Sequence, residues 1–275
     1  MTKVEGSSQI LFTTTRIDVL VSNQFGSGTG FFFRFPISQT HHAPVIITNK
    51  HVVLNAEKGR FYLHTMNETG DPNLNSPPFI VEFDNFQDIW IFHPDENVDL
   101  CIMPIAPLIH YANNRGIKLF YKAFGPDLIP DLSMLEELTP IEEVIMIGYP
   151  IGLRDEKHNL PIIRKGSTAS HIALDYNDKP EFLIDMACFP GSSGSPVLIW
   201  NQGSYATKNG IVIGTRIFLL GILYGGPQFT TEGKIVIKDI PIKQEPISSV
   251  NIPINLGYVI KSQKILDFEE ILKER

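Results

Sequence analysis

The feature that most constrains this chain is a succession of short apolar runs rich in Val, Ile and Phe. They lie at 31–35, 45–48, 60–66, 79–83, 89–93 and 100–105, and again at 144–147, 182–187, 196–200, 210–223, 234–237 and 256–260. Each is bounded by Gly, Pro, Asn or Asp, the residues that punctuate strands. No amphipathic helix of crossover length separates them, so a βαβ sheet is excluded and antiparallel barrels or sandwiches are expected. With 275 residues, 43% hydrophobic and 19% charged, the chain can bury a core without disulfide or metal staples.

The organisation follows from where the pattern breaks. Residues 127–143 carry Asp127, Asp131, Glu136, Glu137, Glu142 and Glu143 with no Lys or Arg, and contain Pro130 and Pro140. This reads as a solvated linker, or as a face that docks a basic partner. It divides the chain into a first unit at 1–115, a linker at 116–143 and a second unit at 144–261. After Ser262 the period changes: Ile265, Leu266, Phe268, Ile271 and Leu272 form a stripe that predicts an α-helix over 262–275 with Ser262 as N-cap. The turn-rich segment 67–78 is expected as a surface loop.

Charge and cysteine content narrow the class of function. The net charge of −7 removes the electrostatic drive toward nucleic acid or an anionic membrane, so neither is expected as a partner. Two cysteines, Cys101 and Cys188, make no disulfide framework and no zinc spacing. No apolar leader follows the N-terminus and no apolar stretch is long enough to span a bilayer, so a reducing, cytoplasmic location is expected. Asn67-Glu68-Thr69 is then a chance match to a glycosylation motif. No metal or organic cofactor site is evident.

The most informative string is Phe189-Pro190-Gly191-Ser192-Ser193-Gly194-Ser195-Pro196, a tight turn that runs into an apolar strand. Gly191 and Gly194 permit backbone angles that let a serine hydroxyl project while N–H groups converge on one point. Acyl transfer by serine needs a base to take the hydroxyl proton and a carboxylate to orient that base. Thr48-Asn49-Lys50-His51-Val52 places a histidine where one strand ends, and Asn97-Val98-Asp99-Leu100 places an aspartate where another begins. Asp95 competes with Asp99, but Pro94-Asp95-Glu96-Asn97 reads as a turn. An α/β-hydrolase order fails because no histidine follows Ser193 and Ser195 spoils the nucleophile elbow. A subtilisin order has only Asp18 to offer before His51, without the helical patterning of that fold.

The order His51, Asp99, Ser193 in these contexts resembles the trypsin/chymotrypsin-like serine peptidases, above all the HtrA-like and other bacterial trypsin-like domains. The resemblance runs from about residue 25 to about residue 270. It includes Gly26-Ser27-Gly28-Thr29-Gly30, Gly148-Tyr149-Pro150, Leu220-Gly221-Ile222 and Leu256-Gly257-Tyr258. It implies an all-β fold of two packed six-stranded antiparallel barrels followed by the C-terminal helix, with the site between the barrels. It also implies a serine endopeptidase in which Ser193 is the nucleophile, His51 the base and Asp99 its orienting carboxylate. The backbone N–H groups of Gly191 and Ser193 would form the oxyanion hole. No room is left for a PDZ-like module after the peptidase unit.

Departures from the pattern carry further expectations. The position before the nucleophile, an aspartate in chymotrypsin-like zymogens, is Ser192, and the chain lacks an I-V-G-G type start, so activation by cleavage of the N-terminus is not expected. The Pro190–Gly191 peptide can instead flip, leaving the oxyanion hole unformed until a substrate or an activator protein arrives. The resemblance to trypsin-like peptidases implies that Ala187, with Cys188 beside it, lies at the base of the specificity pocket, with Leu223, Tyr224, Gly225 and Gly257 on its walls. An apolar residue before the scissile bond is therefore expected. The alternative is a protease-like scaffold that binds without cleaving. Cys188 is read as a small lining residue, and His41, His42, His64, His93, His110, His158 and His171 as solvated.

Overall fold

Runs of β-branched and aromatic residues form the strands, and their turns set the register. The computed structural model describes residues 6–38, 40–208, 210–234 and 247–273, with the backbone alone at 228–234 and 247–253. β1 (Thr14–Val21) returns as β2 (Gln24–Pro36) through Ser22 and Asn23, which have φ of 47° and 65°. That left-handed pair matches the twist of a two-residue hairpin and fixes Val21 opposite Gln24. β3 (His42–Thr48), β4 (Lys58–Thr65), β5 (Phe79–Asp84), β6 (Ile91–Phe92), β7 (Cys101–Pro104) and β8 (Leu119–Phe120) complete an eight-stranded sheet. Its order is β5-β4-β1-β2-β3-β7-β6, with β8 on β4.

The second half is a closed six-stranded barrel of β9 (Glu143–Gly148), β10 (Ile162–Thr168), β11 (Glu181–Asp185), β12 (Pro196–Asn201), a long strand Arg216–Gly225 and a last strand Leu256–Lys261. Between these lie a hairpin of β13 (Ser204–Thr207) and β14 (Gly210–Ile213), and a second one of β16 (Gln228–Lys234) and β17 (Ile247–Pro253). The long strand is accordingly β15 and the last β18. The barrel order is β10-β11-β18-β15-β12-β9.

Several expectations need correction. The first half is an eight-stranded sheet rather than a closed six-stranded barrel; β6 is two residues long and is followed at once by His93-Pro94, and proline cannot donate to a ladder. The run 210–223 is two strands, and 235–237 lies outside the described residues. The C-terminal segment is a 3₁₀ turn over Ser262–Phe268 followed by an α-helix at Glu269–Lys273, with 274 and 275 outside the described residues. Three residues per turn put Ile265 and Phe268 on one face, where both are fully buried. Burying each contributes about 1.5–3 kcal/mol, which offsets the poorer 3₁₀ hydrogen bonds. Ser262 is itself buried, and its hydroxyl has no partner among the described residues, so it does not cap this turn.

The acidic stretch is not uniformly solvated. Leu135 and Leu138 join the core of the second half, and Glu142 is buried against Arg216 at 2.5 Å. Nothing local announces a partner 74 residues away. A further apolar cluster joins Phe31, Phe33 and Ile47 of the first half to Ile147, Leu198 and Leu219 of the second, with Ile265 and Phe268 of the tail. The two halves share this core.

His64 and His93 are buried, against expectation. His93 Nε2 lies 3.1 Å from the Lys264 carbonyl, tying the tail to the first half. His64 packs edge-on against Phe12 with ring centroids 4.9 Å apart, and its Nε2 has no partner among the described residues. Burial lowers its pKa from 6.5 to about 4. Between those values the unfolded chain binds a proton that the folded chain refuses, so stability falls as pH drops through that window, by at most about 3 kcal/mol. Urea melts at pH 7 and 4.5 are expected to show this drop, and His64→Leu to remove its share. Equal pH slopes for the two proteins would refute the assignment.

Candidate active site

β3 delivers the histidine. It ends at Thr48, and α1 (Lys50–Val53) follows, with Val52 and Val53 buried so that His51 faces out. Asn49 is fully buried before the helix and its Nδ2 donates to the Asp99 carbonyl at 2.9 Å. The Asp99 carboxylate accepts twice from His51: from the backbone N–H at 3.0 Å and from ring Nδ1 at 2.6 Å. An ionised carboxylate only accepts, so Nδ1 carries the hydrogen and Nε2 is left as the basic nitrogen. Lys50 Nζ donates to the Asp95 and Glu96 carbonyls, each at 3.2 Å, and holds the neighbouring turn. Asp95 is the turn former there: the Asn97 N–H donates to its carboxylate and lowers its pKa.

The Gly/Ser turn is folded onto both halves. The Ser192 N–H donates to the Phe189 carbonyl and the Ser195 N–H to the Ser192 carbonyl, each at 3.0 Å. The Gly194 N–H donates to Leu223 at 2.8 Å, and Leu223 returns a bond to Ser195 at 3.0 Å, fastening the turn to β15. Gly191 and Gly194 have φ of 88° and 87°, and a Cβ at Gly194 would collide with the Thr29 carbonyl. Only glycine suits both positions without strain.

Thr29 is the residue the sequence reading passed over. Its N–H donates to the Ser193 carbonyl at 2.9 Å and its Oγ1 to the Gly191 carbonyl at 3.0 Å. It accepts from the Tyr149 N–H at 3.1 Å and, through its carbonyl, from Thr48 Oγ1 at 2.7 Å. The only signal was its place inside Gly26-Ser27-Gly28-Thr29-Gly30.

His51, Ser193 and Gly191 line one cavity of about 350 Å³ between the halves. Ser193 Oγ donates to the Tyr224 carbonyl at 3.4 Å, and among the described residues no hydrogen bond joins it to His51. The Pro190 carbonyl accepts from the Ile151 N–H at 2.6 Å. In a trans peptide the Gly191 N–H points opposite to that carbonyl, away from Ile151. Neither this N–H nor that of Ser193 has an acceptor among the described residues. A flip of this peptide would have to break the bond to Ile151. Ser192 is buried, and its hydroxyl has no partner among the described residues.

A smaller cavity of about 150 Å³ adjoins Ser193. Cys188, Leu223 and Gly225 line it, with Phe189, Pro190, Gly226, Pro227 and Leu256. Ala187 and Tyr224 are not in its wall. Gly257 lies behind it, where a Cβ would sit 2.7 Å from both Cys188 Sγ and Leu223 Cδ1. The Tyr224 hydroxyl instead donates to Glu181 at 2.8 Å; burial first, then that carboxylate, raises its pKa. Burial likewise pushes the Cys188 thiol up to about 11, which argues against a thiolate nucleophile.

Solved structures that the chain is similar to include the Rv3671c protease of M. tuberculosis in its active form, at 16% identity and TM-score 0.43, covering 93% of this chain and 78% of that one. The HtrA-type protease AlgW with a tripeptide matches at 16% identity and TM-score 0.46, covering 97% of this chain and 62% of the longer AlgW chain. The thermostable serine protease AL20 matches at 11% identity and TM-score 0.46, covering 96% and 98%. No curated protein matches the chain. The family model of the trypsin-like peptidase domain matches residues 28–206, a span that contains His51, Asp99 and Ser193. With well over half its length matched, the chain belongs to the trypsin-like peptidase family and is by that membership a serine endopeptidase.

Proposed function

We propose that the chain cleaves peptide bonds through Ser193, His51 and Asp99. The observation that carries this reading is the doubly bonded Asp99 carboxylate, which presents His51 Nε2 to the cavity that also holds Ser193. Ser193 Oγ attacks the scissile carbonyl carbon and gives its proton to His51 Nε2. His51 then passes that proton to the leaving amine as the C–N bond breaks, leaving an acyl-enzyme. Water, deprotonated by the same nitrogen, releases the acid and restores the serine. The Gly191 and Ser193 N–H groups, which have no acceptor among the described residues, would take the developing oxyanion. Hydrogen bonds of this kind often tighten only when substrate binds, which accommodates a serine resting on Tyr224.

The cavity of about 150 Å³ beside Ser193 supports a preference for a small or aliphatic residue before the cleaved bond. Among the described residues its lining holds no carboxylate, and a buried lysine or arginine would be left unpaired by them. Peptide amides ending in Val or Leu are expected to show kcat/KM at least about 10²-fold above Arg or Lys counterparts. The reverse order would overturn the pocket assignment.

The Ser193–Tyr224 hydrogen bond favours a second reading, a module that binds peptides without cleaving them or that waits for an activator protein. Fluorophosphonate labelling, mapped by peptide mass, separates the two. A single adduct on Ser193, absent in Ser193→Ala, is the expected result. No adduct on the folded protein would favour the second reading.

A further inference from the structure

The loop that leaves β9 supplies the donor that fixes the Pro190 carbonyl, and that loop is held at an unusual backbone angle. Ile151 has φ 46° and ψ 31°, the left-handed region that a β-branched side chain resists. Its side chain is 63% exposed, so packing does not impose that conformation. Backbone hydrogen bonds do. The Gly152 N–H donates to the Tyr149 carbonyl at 2.9 Å, and the Ile151 N–H donates to Pro190 at 2.6 Å.

A third bond comes from the first half of the molecule. Arg16, on β1, donates from Nη1 to the Gly152 carbonyl at 2.9 Å, across 136 positions of sequence. The guanidinium is itself immobilised: its Nε donates to Asp18 at 2.6 Å. The Asp18 carboxylate, 8% exposed, also accepts from the Tyr62 hydroxyl at 2.6 Å and from Arg60 at 3.2 Å. Arg154, two residues beyond Gly152, stacks over the Tyr62 ring at 4.1 Å. The loop is thus clamped to a preformed charged platform that touches neither Ser193 nor His51.

We infer that Arg16, seated on Asp18 and Tyr62, is a positioning residue for the oxyanion hole: it holds the strained Ile151–Gly152 turn so that the Ile151 N–H keeps the Gly191 N–H turned toward substrate. The inference rests on the catalytic reading above and adds a residue to it. Release of Arg16 lets Ile151 relax to negative φ, which withdraws its N–H from Pro190 and frees the Pro190–Gly191 peptide to turn. A charge-assisted hydrogen bond and one strained residue together set the balance between the two arrangements.

Arg16→Met keeps the length of the side chain and removes its donors. It is expected to lower kcat for a Leu-ending peptide amide about 10- to 100-fold with KM unchanged, and to slow fluorophosphonate labelling in parallel. Ile151→Gly, which removes the penalty at positive φ, is expected to recover about tenfold of that loss in the Arg16→Met background. Should Arg16→Met fail to fold, replacing Ile151 by its α-hydroxy acid deletes the same N–H without touching the platform, and the same fall in kcat is expected. A wild-type protein that does not label would overturn the catalytic reading itself. A wild-type protein that labels, beside variants that label and turn over at the wild-type rate, or that lose affinity instead of kcat, would overturn the clamp alone.

Discussion

Ser193→Ala is expected to lower kcat for peptide cleavage by roughly 10⁴–10⁶ while leaving KM and the unfolding midpoint near their wild-type values. The size follows from the proposed role of the hydroxyl: in that mechanism no acyl-enzyme forms without Oγ, and only the oxyanion donors and substrate binding remain to assist direct attack by water. The fold should not suffer. Among the described residues Ser193 Oγ makes a single long hydrogen bond, 3.4 Å to Tyr224, whereas the turn is held by backbone bonds through Gly194, Ser195 and Thr29 that alanine leaves in place. Ser195→Ala is the control beside it, since its Oγ is buried and has no partner among the described residues. Stopped-flow detection of a product burst in the wild type and none in Ser193→Ala would complete the case. Equal loss in both serine variants would refute Ser193 as nucleophile.

Asp99→Asn is the second large effect, expected at about 10⁴ in kcat. The carboxylate accepts from both the His51 backbone and ring Nδ1, so it fixes the position and the tautomer of the imidazole. An asparagine fills the same space. It can accept from the backbone with its oxygen, but its amide nitrogen then faces Nδ1 as a donor and drives the ring hydrogen to Nε2, the nitrogen proposed to take the serine proton. Nitrogen-15 NMR of the His51 ring reads this directly: hydrogen on Nδ1 in the wild type and on Nε2 in the variant. Asp95→Asn should leave turnover within a few-fold of wild type, because Asp95 serves the turn through Asn97. If Asp95→Asn proved the costlier substitution, the carboxylate assignment would be wrong.

How much of this was readable beforehand depends on distance along the chain. The strands of the barrel announce themselves because their Val, Ile and Phe content and their Gly and Asn boundaries are local. The proposed residues His51, Asp99 and Ser193 stand out in the sequence for the same reason, each sitting in a short string whose residues also build its surroundings: Asn49 before His51, Leu100 after Asp99, the two glycines around Ser193. β1 escaped notice because Arg16 and Asp18 interrupt its apolar pattern, and these are the residues that form the platform under Tyr62. Thr29, Ile151 and the Glu142–Arg216 pair were illegible because their partners lie far away in sequence. The open order of the first sheet depends on how strands close around one another, which no single strand records.

Thr29 has a consequence for how such a molecule can be re-engineered. Through one fully buried residue, the strand that leads toward His51 is bonded to the turn that bears Ser193 and to the loop that follows β9. Grafting the second half of a relative onto this first half would therefore transplant a serine turn whose height and tilt were matched to another molecule's seam. The halves look like interchangeable parts in outline, yet the seam between them is cut to measure. Directed evolution of a chimera would have to repair that seam before it could improve any pocket.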